Sequence, residues 1–139
     1  MFTLPQILVA ASAFIFLFLG SAHLLYTFVG NKLHPRLHAV QAAMAADSPV
    51  LTRQTTMWRA WIGFNASHSY GAMFFGLVYG YLALFHDAML FGSTFLIVLG
   101  LAMCAGYLVL AKLYWFRIPF RGISLASALF VAALVVRLG

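Results

Sequence analysis

Two histidines lie inside long apolar runs of this 139-residue chain, His23 in the first run and His68 in the second. His68 belongs to the most distinctive stretch, Gly63-Phe64-Asn65-Ala66-Ser67-His68-Ser69-Tyr70-Gly71. On a helix, residues three and four apart are neighbours, so Asn65, His68 and Ser69 share a face. Tyr26, three residues after His23, can border the same place. Several chemistries are open to such a set. Two imidazoles can ligate the two faces of a haem iron. A histidine with Asn, Ser and Tyr partners can hold a quinone or another lipophilic carbonyl by hydrogen bonds. The same groups can also bond helix to helix, at ~0.6–2 kcal/mol each, because lipid offers no better partner. Zinc is a poor match, since it takes four ligands and no carboxylate or cysteine accompanies the pair. The candidate cofactor-binding set is therefore His23, Asn65, His68, Ser69 and Tyr26, with haem b and quinone as the cofactors it could take. No residue is singled out as catalytic or as a metal ligand.

The elements that must position these groups are transmembrane helices. The chain is 65% hydrophobic and 7% charged, far from the roughly 25% charged residues of soluble domains. Four apolar runs cover about residues 4–29, 61–85, 89–114 and 118–136. Each is close to or above the ~20 residues a helix needs to cross a bilayer core. Backbone amides in lipid must pair internally, and the ~10-residue alternation of barrel strands is absent, so the runs read as helices. We expect an all-α membrane protein: a single transmembrane domain over residues 1–139, built as a four-helix transmembrane bundle. His23 lies about seven residues before the end of run one, and His68 about seven past Trp61. At 1.5 Å per residue both are ~10 Å inside the same interface.

The net charge of +6 is better explained by orientation than by a nucleic-acid partner. Lys32, Arg36, Arg53 and Arg59 lie between runs one and two, and Lys112, Arg117 and Arg121 cluster where run three gives way to run four, while Arg137 stands alone on the other side. This positive-inside bias predicts that loops 31–59 and 115–120 are cytoplasmic and both termini outside. The first run lacks the basic n-region of a signal peptide and is too long for one, so it reads as a retained span.

Thr3, Pro5 and Gln6 have the spacing of a helix start with a capping box. Gly30-Asn31 is a helix stop. Residues 35–46 read as a short interfacial helix in the first cytoplasmic loop, with Leu37, Val40 and Met44 on one face. Asp47 or Ser48 is expected to cap a further helix starting at Pro49. Trp58 and Trp61 mark a membrane interface. His86-Asp87 reads as a tight turn with Asp87 as cap for the third span, and Pro119 opens the fourth. Gly76 and Gly80 offer a close-packing groove. His34 and His38 have an i, i+4 metal spacing but no third ligand. Cys104, the one cysteine, reads as a packing residue.

The stretches Gly20-Ser21-Ala22-His23-Leu24-Leu25-Tyr26 and Trp58-Arg59-Ala60-Trp61-Ile62-Gly63-Phe64-Asn65-Ala66-Ser67-His68-Ser69-Tyr70-Gly71 resemble small four-span bacterial membrane proteins of no assigned function. In size and span count the chain also looks like the DoxX-type small membrane proteins. The likeness covers the whole chain in hydropathy and two short stretches in residues. It implies a bacterial inner-membrane protein and no particular activity. No run holds an Asp or Glu, which leaves proton-coupled transport and base-assisted hydrolysis without their usual groups. The leading expectation is a non-catalytic membrane protein whose partners are the bilayer and other membrane subunits or itself. A binding module for a lipophilic ligand comes second, and a small redox enzyme or transporter third.

Overall fold

The computed structural model describes the backbone of residues 1–139 and every side chain except that of Leu138. All six elements are helices: α1 (Leu4–Phe28), α2 (His38–Ala46), α3 (Met57–Phe85), α4 (Asp87–Gly92), α5 (Thr94–Tyr114) and α6 (Arg117–Leu138). Among the described residues there is no strand. Three helices are long and apolar enough to cross a membrane: α1, α5 and α6 over Arg117–Arg137. The fourth expected span, α3, is the longest helix at 29 residues. It does not reach the same apolarity, because Arg59, Asn65, Ser67, His68 and Ser69 dilute its first half.

The chain forms two compact units, Met1–Leu19 with Ala72–Gly139, and Gly20–Gly71. The first unit holds the apolar core. The Phe16 ring meets Phe75 at 4.5 Å and Tyr107 edge-on at 5.4 Å. Phe75 stacks on Tyr79 at 4.5 Å, and Tyr79 meets Phe130 at 5.6 Å. Such ring pairs contribute about 0.5–1.5 kcal/mol each beyond plain area burial. The Tyr79 hydroxyl does not enter the core unsatisfied, since it donates to the Leu96 carbonyl at 2.7 Å. Close helix approach occurs at Gly76, where an added Cβ would stand 2.6 Å from the Ala13 carbonyl oxygen and 2.8 Å from the Leu17 amide nitrogen. At Gly100 the same atom would meet the Phe130 ring. Outside this core, Phe14, Phe18, Phe74, Phe95 and Val135 are all more than 60% exposed. An apolar surface of this kind suits lipid better than water.

Local chemistry accounts for the helix ends. The Gln6 side-chain oxygen accepts from the Thr3 amide at 2.7 Å and from its hydroxyl at 3.0 Å, which satisfies one amide at the start of α1. Gly30, with φ +80°, turns the chain after α1. The apolar run expected as one helix from Met89 is broken. Ser93 takes extended backbone (φ −104°, ψ 107°) and its hydroxyl accepts from the Leu96 amide, so α4 ends and α5 begins there. A serine that can cap competes with helix continuation, a signal that hydropathy alone passes over. Asp87 is the first residue of α4 rather than its cap, and the cap position falls to His86.

The second unit also departs from expectation in its loop. The short helix starts at His38, three residues later than expected, with Leu37 at its N-cap and no side-chain cap. No helix starts at Pro49. The Thr52 amide instead closes a turn onto the Pro49 carbonyl at 3.1 Å, and Asp47 Oδ1 accepts from the adjacent Ser48 amide at 2.8 Å. The helix that follows begins at Met57, capped by Thr56, whose hydroxyl accepts from the Arg59 amide at 3.3 Å. The Met57 amide donates to the Asp47 carbonyl at 2.9 Å and ties the two ends of the 48–56 segment together.

Candidate functional site

The polar residues of the second unit meet across α1 and α3. His23 comes from the last turns of α1, and Asn65, His68 and Ser69 from the first half of α3. His23 Nε2 lies 2.9 Å from Asn65 Oδ1. The Asn65 amide nitrogen donates to the Trp61 carbonyl one turn back, at 2.8 Å. A backbone carbonyl only accepts, so the nitrogen of the Asn65 amide must face Trp61 and its oxygen must face His23. An amide oxygen also only accepts, and His23 Nε2 therefore carries the proton. When the ring is neutral, Nδ1 is its acceptor. The bond within α3 thus sets the amide orientation, and the bond between helices then sets the tautomer.

The His68 ring packs edge-on against His23, with centroids 5.5 Å apart and an interplanar angle of 84°. Ser69 is fully buried, and its hydroxyl donates to the Asn65 carbonyl at 2.9 Å. Thr27, also buried, donates to the His23 carbonyl at 2.8 Å. Both are bonds to the carbonyl four residues earlier, the usual refuge of a hydroxyl on a helix in apolar surroundings. His23, Asn65 and His68 are each half-buried.

Of the candidate residues, the structure brings His23, Asn65, His68 and Ser69 together. Tyr26 is 37% exposed and takes a different partner, the Lys32 ammonium 3.9 Å above its ring centroid. Among the described residues, no group of three or more His, Cys, Asp or Glu could hold a metal ion. Cys104 is buried within the other unit.

Sequence reasoning passed over how the loop is fastened. Trp61 Nε1 donates to the Leu33 carbonyl at 3.1 Å, and the His34 ring packs edge-on against Trp58 at 4.9 Å. Trp58 and Trp61 are three apart and so share a helix face. That spacing was the available signal. Besides marking an interface, both rings engage the loop that precedes them. Thr27 was likewise recoverable, lying four residues after His23.

The chain matches no family model, no curated protein and no solved structure in comparisons with known proteins.

Proposed function

We propose that this is a four-span, non-catalytic integral membrane protein of the bacterial inner membrane. It works by association, as an accessory subunit of a larger complex or with copies of itself. In this reading α3 is the fourth span, at about 43 Å long enough to cross with tilt. Loops 31–59 and 115–120 face the cytoplasm, and α2 lies along the interface. The observation that carries the reading is the internal bonding of the polar constellation on α1 and α3. Asn65 uses its oxygen on His23 and its nitrogen on Trp61, and Ser69 and Thr27 use their hydroxyls on backbone carbonyls. The His23–Asn65 bond ties α1 to α3, and the others spend their polar groups within one helix, a pattern that suits association of helices in an apolar medium.

Purification in mild detergent tests the proposal. Native mass spectrometry is expected to find a fixed partner subunit or a homo-oligomer. A bare monomer would count against it. The topology has its own check: a phosphatase fused after Gly139 is expected to be active only on the outer side.

A second reading rests on the imidazole pair itself. A lipophilic ligand, haem or quinone, could engage His23 and His68, as in a small redox protein. Iron ligation through His23 Nε2 would require breaking the bond to Asn65 and moving its proton. Ligation through Nδ1 would leave that bond in place. A Soret band in the purified protein that disappears in His68→Ala would favour haem. A colourless preparation that releases no small molecule in mass spectrometry would remove both ligand readings.

A further inference from the structure

The loop after α1 forms a second polar feature, a partly open hollow separate from the histidine network. Asn31, Lys32, His34, Arg36, His38 and Gln41 line a cavity of about 330 Å³. That is roughly ten times the ~30 Å³ share of a water molecule in the liquid, ample for a phosphate ester with part of its hydration. Its charged lining is entirely basic, and neither of the chain's two acidic residues takes part.

The cavity is a built feature. Gly30 turns the chain out of α1 with φ +80°, and the His34 amide closes the next turn onto the Asn31 carbonyl at 3.0 Å. Trp61 holds the Leu33 carbonyl, and Trp58 holds the His34 ring. The Tyr26 ring steadies the Lys32 ammonium. The α2 helix starts at His38, itself part of the lining, with no side chain capping its first turn, so the positive end of its dipole falls at this wall. An ammonium, a guanidinium, two imidazoles and two side-chain amides give many donors at one place. Phosphate oxygens match such a set better than a single carboxylate does.

We propose that this cavity binds a phosphate-bearing anion. The headgroup of an anionic phospholipid is one source, and soluble phosphate is the other. The tryptophans that fasten the loop are the residues expected at headgroup level, and basic pockets beside transmembrane helices take lipid head groups. The lipid source rests on the proposed bilayer spans; the anion site itself does not.

The experiment uses the full chain with Lys32→Gln, Arg36→Gln, the pair combined, and Arg53→Gln as a control basic residue outside the cavity. In one arm, the protein in phosphatidylcholine nanodiscs with and without phosphatidylglycerol is released into a native mass spectrometer and retained lipid is counted. In the other, the unfolding midpoint in detergent is followed as inorganic phosphate is added. Retained phosphatidylglycerol is expected to weaken about fivefold with each lost cation and about 25-fold with the pair, at the ~1 kcal/mol per basic residue typical near anionic lipid. Arg53→Gln should leave it unchanged. If no lipid is retained but phosphate raises the midpoint of wild type and not of the pair, the soluble source is the right one. The proposal is overturned if neither arm shows binding, or if Arg53→Gln loses as much as the pair. The ligand-free midpoint reports whether each variant folds, and the single variants decide the matter if the pair does not. Failure to enter nanodiscs would break the membrane reading and leave the phosphate arm in force.

Discussion

In the unit formed by residues 1–19 and 72–139, Phe16, Phe75, Tyr79, Tyr107 and Phe130 pack ring against ring, and Gly76 and Gly100 let neighbouring atoms approach. In the unit of residues 20–71, His23 bonds to Asn65 across α1 and α3, Ser69 and Thr27 bond to the backbone carbonyls of those two residues, and Gly63 has nothing within 4 Å of an added Cβ. The same two helices, α1 and α3, pass through both units and are held differently in each. In the proposed four-span reading both helices lie in lipid, which is as apolar as a leucine side chain, so water exclusion does not drive their association. What remains is close van der Waals contact and polar bonds that have no other outlet. The two units are those two alternatives worked out on one pair of helices.

The largest effect expected from breaking the contrast is at Gly76. Gly76→Val should destabilise by about 3 kcal/mol or more, the upper end for overpacking, because the atoms it meets include backbone that cannot rotate away. Unfolding in detergent, or loss of folded protein on expression, measures it. Phe130→Ala should cost about 3 kcal/mol, the low end for a buried aromatic, since contact rather than water exclusion is lost. In the polar unit, Thr56→Ala should cost about 1 kcal/mol through loss of the α3 cap. Its signature is earlier amide exchange in the first turn of α3. Gly63→Ala should have the opposite sign, a gain of up to about 1 kcal/mol, because a methyl in open space adds helix propensity and meets nothing. Equal effects of methylation at Gly63 and enlargement at Gly76 would erase the contrast.

The long helices were legible in the sequence because runs of apolar residues of span length admit few other structures. The Gly30 stop and the Thr3–Gln6 start were legible from residue types at fixed offsets. The break at Ser93 was not, because hydropathy counts a serine among many leucines as noise, while its hydroxyl takes the Leu96 amide. The cap at Thr56 lost out to Asp47 and Ser48, equally good capping types nine and eight residues earlier. What decides between them is the Met57–Asp47 backbone bond, which links residues whose meeting no local pattern announces. In the candidate site, the shared face of Asn65, His68 and Ser69 followed from helical spacing. The partner across from Asn65 did not, since helix rotation sets it. The role of Trp58 and Trp61 was half visible: their spacing gave a common face, but not the loop that face would hold.

A double-mutant cycle on His23→Ala and Asn65→Ala, read as unfolding free energy in detergent, tests most directly whether this network holds helices together. The account predicts a coupling of about 0.6–2 kcal/mol between the two positions, the worth of one hydrogen bond between spans. Strictly additive losses would contradict it, and would mean that the imidazole and the amide lie near one another without binding α1 to α3.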